Sequence, residues 1–218
     1  DRLVGVDNYI LAEYQERIKK GVQKKQKLKV FVNVPCQTKN QVDIGLMANI
    51  EDPTEAIKAI ELGVSGIGLF RTEFLFLEKN KILNEDEQFE AYRRVVEALN
   101  PLPVVIRTLD LGADKLPSSL SSKFTKDSNP ALGQRGIRFS LENPDFFKVQ
   151  LNAILRASKF GNVKIMLPLI TEKEEIIKAK QLIYQSLNYV SETYCYDLNT
   201  PSIGAMIEVP SAAITIES

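Results

Sequence analysis

Ser65-Gly66-Ile67-Gly68-Leu69-Phe70-Arg71-Thr72-Glu73-Phe74 reads as a short apolar strand that stops on an arginine. A second run, Val104-Val105-Ile106-Arg107-Thr108-Leu109-Asp110, stops on the same Arg-Thr pair. A third, Gly204-Ala205-Met206-Ile207-Glu208-Val209-Pro210, ends in a carboxylate instead. Short apolar runs of this kind, bounded by turn and polar residues, predict buried strands. Parallel sheets gather their chemistry at strand C-termini. Two guanidinium groups and one carboxylate at such ends suggest a small-anion clamp beside a metal site.

Working outward, helical patterns separate the strands. Asp52 and Pro53 open a helix that runs to about Leu62 and stops at Gly63. Asn84 caps a second that runs to Leu99, with Glu85, Asp86 and Glu87 in its first turn and Phe89, Tyr92, Val95, Val96 and Leu99 on its inner face. Further helices are predicted from Pro144 to Phe160, stopped by Gly161, and from Glu172 to Tyr189. Strands are predicted at Ile44 to Asn49, Gly66 to Phe70, Pro103 to Arg107, Ile137 to Phe139, Val163 to Leu167 and Ile203 to Glu208.

Strands that alternate with helices imply an α/β chain with parallel pairing and right-handed crossovers. A doubly wound sheet usually carries a Gly-rich loop after its first strand, and none is seen here. A (β/α)8 TIM barrel fits better, and about six of its eight strands are present, so the expectation is an incomplete barrel. Ahead of it, Asn8 to Lys27 reads as a helix with Leu11, Tyr14, Ile18 and Val22 on one face and a weak point at Gly21. A β-rich segment, Lys29 to Val34, follows. The domain reading is therefore a linker helix and connecting segment over 1–40 and a partial barrel over 41–218.

Composition narrows the chemistry. Of 218 residues, 28 are basic and 28 acidic, so bulk charge gives no argument for nucleic acid or an acidic membrane surface. The apolar runs are too short to span a bilayer, and no nucleic-acid or membrane partner is expected. Cys36 and Cys195 stand far apart without metal-ligand spacing and read as free thiols in a reducing cytoplasm. The chain has no histidine, so it supplies no imidazole base, nucleophile or metal ligand. Oxygen donors that remain suit a hard cation such as Mg²⁺.

Each candidate admits a plainer reading. Arg71 and Arg107 hold a phosphate in their rigid forks, or they pair with Glu73 and Asp110 in structural salt bridges. Glu208 is a Mg²⁺ ligand or a solvated glutamate at the rim. Asn129-Pro130-Ala131-Leu132-Gly133-Gln134-Arg135-Gly136-Ile137-Arg138 adds two arginines or is a turn feeding an amphipathic helix, and it follows a polar stretch, Lys115 to Ser128, that reads as a mobile, lid-like segment. Lys115, in Gly112-Ala113-Asp114-Lys115, supplies a further cation or is solvated.

Together these motifs resemble the phosphoenolpyruvate-utilising barrel family, and within it the phosphoenolpyruvate–protein phosphotransferases (enzyme I of bacterial sugar uptake). Gly66 through Leu77, Glu87-Gln88-Phe89 with Ala91-Tyr92, Arg107 through Lys115, Asn129 through Arg138, Leu155-Arg156-Ala157-Ser158 and Met206 through Ala213 occur in family order. The resemblance implies that Arg71, Arg107, Arg135 and Lys115 bind phosphoenolpyruvate, and that Glu208 is one of two Mg²⁺ ligands. It implies a cytoplasmic homodimer that moves the phosphoryl group to a His on a separate N-terminal domain and then to a phosphocarrier protein. The family's second Mg²⁺ carboxylate and its proton-donating cysteine lie in later motifs that are absent here. No catalytic residue is therefore assigned, and the chain reads as a fragment, inactive alone, whose open apolar edge should make it self-associate or be unstable. Pyruvate phosphate dikinase and phosphoenolpyruvate synthase share the barrel. A non-catalytic interaction or dimerisation module is the reading from a different class.

Overall fold

The computed structural model describes residues 7–32, 34–79, 81–112 and 133–217. The chain divides into two compact units, Asp1–Gly45 with Glu61–Gly63, and Leu46–Ile60 with Val64–Ser218.

In the first unit, α1 spans Asn8–Leu28 and is capped by Asp7, whose carboxylate accepts from the Tyr9 and Ile10 N–H groups. It runs unbroken through Gly21, because one glycine costs about 1 kcal/mol and the flanking lysines and glutamines are good helix formers. No described residue of α1 is buried. Lys29 to Val34 is not β-rich. Lys29–Phe31 forms a 3-10 turn that tightens the helix end, satisfying carbonyls that a strand would leave open.

The second unit carries a parallel sheet of β1 (Ala48–Ile50), β2 (Ile67–Arg71), β3 (Val104–Arg107), β4 (Val163–Leu167) and β5 (Ser202–Ala205). Their order across the sheet is their order in the chain. Between them run α2 (Glu55–Glu61), α3 (Glu73–Lys79), α4 (Glu85–Leu99), α5 (Ile137–Glu142), α6 (Pro144–Ala157) and α7 (Lys173–Tyr194), and α8 (Pro210–Ile214) follows.

The sheet has two unlike faces. Val104, Ile106, Val163, Ile165 and Leu167 are buried, and Phe70 beside them meets Tyr92 of α4 edge-on at 5.9 Å. Alternate residues on the other face, Val105, Lys164 and Met166, are exposed or half-buried. The helices therefore cover the first face, and α4, α6 and α7 pack side by side there. Asn84 caps α4 as its sequence predicts, and Glu87 completes a capping box with it.

Three strand readings change. The run Ile203 to Glu208 is strand only over Ser202–Ala205, which leaves Glu208 three residues past the sheet, just before Pro210 opens α8. Ile137 to Phe139 is the first turn of α5, not a strand. A three-residue apolar run carries no period that separates the two, and the buried pair Ile137 and Phe139 satisfies either. The first strand begins at Ala48 rather than Ile44, since the chain before it is exposed and unpaired with β2. Helix α3 begins at Glu73, two residues past the end of β2.

Candidate functional site

Arg71 and Arg107 are the last residues of β2 and β3 and are register partners across the two strands. Residues so paired point to the same side of a parallel sheet, about 5 Å apart. Phe70 and Ile106, one step earlier, point to the helices, so both guanidinium groups leave from the opposite face. The sequence places this pair correctly.

The arginines do not stand alone. Arg107 is 7 % exposed, and its guanidinium bonds to Glu73 through Nη2 and to Asp110 through Nη1 at 3.1 Å. Asp110 also accepts from Arg135, at 2.9 Å to Nε and 3.3 Å to Nη2. One carboxylate thus fastens two arginines from segments that are distant in sequence. Arg135 pairs with Gly112 in an antiparallel bridge, and Gly136 turns the chain with φ of 55°. A Cβ there would come within 3.0 Å of the Leu169 side chain, so the turn requires glycine.

Arg71 bonds to Glu51, the residue after β1, rather than to Glu73, and its guanidinium lies 5.0 Å from the Phe74 ring. Arg71 and Glu51 each remain about one-third exposed. The Nε atoms of Arg71 and Arg107 are both buried without a hydrogen-bond partner. Buried donors are usually paired, but the Nε atoms of Arg93 and Arg156 on the helices are likewise buried and unpartnered, so these orphans do not by themselves mark a ligand site. Glu73 and Asp110 hold Arg107 and Arg135 in position, whereas Glu51 occupies Arg71 itself.

Glu208 lies beyond β5 and is exposed, and its Oε1 accepts from the Leu169 N–H at 2.8 Å. Leu169 has a positive φ of 54°, so this bond secures a strained backbone. Among the described residues no group of three or more Asp, Glu, Cys or His side chains forms a metal cage. A hard, partly committed carboxylate fits Mg²⁺ as one ligand among water and substrate oxygens. Met206, two residues earlier, lies 3.8 Å through its sulfur from Arg107 Nη1, which brings the β5 end to the arginine pair. Lys115 and the stretch from Lys115 to Ser128 lie outside the described residues, as do Asn129 to Leu132. Arg138 does not join the pair; it donates to the Gly133 carbonyl at 3.0 Å.

Burial pushes the Glu73 carboxyl above its ordinary value, more than the Arg107 charge pulls it down. A carboxyl whose pKa is higher folded than unfolded binds more protons in the folded state. Stability is then lost as pH rises from the ordinary carboxylate value through the raised one. Glu73→Gln removes that dependence and leaves Arg107 its bond to Asp110. The melting temperature of the variant relative to wild type should therefore climb as pH rises above the ordinary carboxylate value of about 4. A difference flat with pH would contradict the raised value.

Sequence reasoning missed Glu51 and the buried amide of Gln150. Neither carries a local signal, since each matters through a partner that is distant in sequence. Cys36 and Cys195 are free and exposed, and no helix among the described residues is long and apolar enough to cross a membrane.

Residues 25–218 match the family described as PEP-utilising enzyme, PEP-binding domain. The chain is 41 % identical over 209 residues to the phosphoenolpyruvate-protein phosphotransferase of Cupriavidus necator, covering 95 % of this chain and 36 % of that protein. It is 42 % identical over 205 residues to the protein of the same name from Mycoplasma capricolum, covering 94 % and 35 %. It is also 42 % identical over 180 residues to a multiphosphoryl transfer protein of Rhodobacter capsulatus, covering 83 % of this chain and 21 % of that protein. The chain spans about a third of the length of the phosphotransferases it matches.

Proposed function

The chain belongs to the PEP-utilising enzymes through their PEP-binding domain, and from that premise we propose that it is the phosphoenolpyruvate-binding part of a phosphoenolpyruvate–protein phosphotransferase. The observation that carries this reading is the register-paired Arg71 and Arg107, which end β2 and β3 and leave the sheet from the same face. Names of the matched relatives favour a protein phosphotransferase over a dikinase or synthase.

In this reading the five strands are consecutive strands of a (β/α)8 barrel. Strict sequential order supports it, because a doubly wound sheet reverses direction at a switch point. So does the one-sided cover of helices, since a doubly wound sheet is buried on both faces.

Arg71 and Arg107 hold the phosphoryl oxygens, and Arg135, fastened to Arg107 through Asp110, adds positive charge. Glu208 offers one oxygen to Mg²⁺, which when bound stabilises negative charge on the transferring oxygens and the developing enolate. The P–O bond of phosphoenolpyruvate breaks and a P–N bond forms to a histidine on a separate domain. That group then passes to a phosphocarrier protein, and the enolate takes up a proton to become pyruvate. Lys115 belongs to this proposal by family resemblance alone. A cytoplasmic location and a homodimer belong to it as well, and sedimentation equilibrium reads the second directly.

The testing experiment is calorimetric titration of phosphoenolpyruvate with Mg²⁺ into this chain. Saturable heat supports the reading, and no heat at about millimolar ligand, where binding free energy is about 4 kcal/mol, opposes it. The Arg71–Glu51 pair adds a sharper expectation. An arriving phosphate must share Arg71 with a carboxylate, so Glu51→Gln should tighten binding by about threefold to tenfold. The pair is partly exposed, and its loss should leave the unfolding midpoint nearly unmoved. Equal affinity in the two proteins would show that Glu51 does not compete.

A further inference from the structure

Gln150 is a polar side chain that the anion chemistry above leaves without a role, although it is 1 % exposed and lies in the interior of α6. Its amide is bonded on both sides. Oε1 accepts from the Leu109 N–H at 2.9 Å, while Nε2 donates to the Thr72 hydroxyl at 3.1 Å and to the Tyr92 hydroxyl at 3.2 Å. The Thr72 hydroxyl in turn donates to the Arg107 carbonyl at 2.9 Å. Tyr92 is fixed by Gln88, whose Oε1 lies 3.1 Å from the phenol and whose Nε2 donates to the Leu83 carbonyl at 3.0 Å. Burial pushes the Tyr92 phenol far above its ordinary value, so it stays a neutral hydroxyl.

The placement of these bonds is informative. Thr72 directly follows Arg71, and Leu109 lies two residues past Arg107. Beyond β3 the last ladder-like bond is from the Thr108 N–H to the Met166 carbonyl at 2.9 Å. Past that point the Gln150 amide takes over from the sheet, holding the Leu109 N–H directly and the Arg107 carbonyl through Thr72. Packing alone does not call for an amide here, since a leucine has similar volume and carries no desolvation cost. Near neighbours Leu151, Ala153 and Ile154 on the same helix are apolar and fully buried.

We propose that Gln150 is a positioning residue for the anion clamp, tying the ends of β2 and β3 together so that Arg71 and Arg107 present their forks at a fixed separation. The inference rests on the phosphoenolpyruvate-binding reading and names a device that serves it. A bidentate guanidinium rewards correct placement, and a small displacement forfeits a charge-assisted bond. Without the amide the Leu109 N–H loses its acceptor and the Thr72 hydroxyl, still donating to the Arg107 carbonyl, loses its donor, so both strand ends are held less firmly. The expected loss is about tenfold in affinity, comparable to one hydrogen bond.

The test compares wild type, Gln150→Leu, Thr72→Val and the double variant in calorimetric titration with phosphoenolpyruvate and Mg²⁺, well below each unfolding midpoint. Thr72→Val keeps shape and stands in if Gln150→Leu does not fold. Nitrogen-15 NMR of the ligand-free proteins follows the Arg107 Nε–H, with the Arg156 Nε–H as internal reference. Each single variant should weaken binding about tenfold, the double variant should lose little more, and the Arg107 signal should shift while that of Arg156 stays. Lower stability with affinity within about twofold of wild type and an unmoved Arg107 signal would reduce Gln150 to a structural residue and overturn the inference alone. If wild type takes up no phosphoenolpyruvate, the binding reading and this inference fall together.

Discussion

Arg71→Ala should weaken phosphoenolpyruvate binding by about a hundredfold or more while leaving the fold nearly as stable as before. The size follows from two charge-assisted hydrogen bonds, each worth about 1.5–3 kcal/mol, that a phosphate would receive from the fork. The small effect on stability follows from exposure. Arg71 and Glu51 are each about one-third exposed, and such pairs contribute about 1 kcal/mol or less. Arg107→Ala makes the useful contrast. It strands Glu73, less than one-tenth exposed, and leaves the equally buried Asp110 to Arg135 alone, and breaking a buried ion pair costs about 3–5 kcal/mol. Lost binding in that variant would mix the site with the fold, whereas Arg71 separates them. Calorimetry and a thermal melt on the same sample check both halves. Arg71→Ala binding within about threefold of wild type would remove Arg71 from the site.

That separation was partly legible in the amino-acid sequence. Arg71 and Arg107 end apolar runs, and a run of this length has one way to deliver its last side chain to a sheet edge. Val163 to Leu167 is a strand at its sequence-expected bounds, and Asn84 caps α4 as expected. Local chemistry determines each of these. What was illegible depends on partners far along the chain. Ile137 to Phe139 is helical because α5 packs against α6 and α7, which a three-residue run cannot encode. Lys29 to Phe31 is β-branched in part and yet continues a helix. Glu51 finds Arg71 twenty residues on, and Gln150 reaches Thr72 seventy-eight residues back. A glutamine inside an amphipathic helix looks like a surface residue until the strand ends beneath it are placed.

Arg156→Ala should destabilise the second unit by about 3 kcal/mol, a large part of the 5–15 kcal/mol that holds an ordinary domain folded. Arg156 lies at the end of α6 and is 8 % exposed. Its Nη1 bonds to Glu85 and to Asp86, each at 2.7 Å, in the first turn of α4. Its guanidinium stacks 4.1 Å from the Phe89 ring of α4 and 4.4 Å from the Tyr194 ring at the end of α7. Tyr194 and Asn152 also donate to Glu85, so removing the arginine leaves a carboxylate holding neutral donors only. Three helices therefore lose a common cation. Lysine should not restore it, because an ammonium lacks the planar fork and stacks less well on the rings. Of the two pair partners, Asp86 is mostly exposed and Glu85 largely covered. Glu85→Ala should accordingly cost more than Asp86→Ala, by about 1 kcal/mol or more. Urea unfolding of the four variants beside wild type reads these differences. A loss below about 1 kcal/mol for Arg156→Ala, or full recovery with Arg156→Lys, would mean that packing of α4 against α6 holds the helices without the arginine.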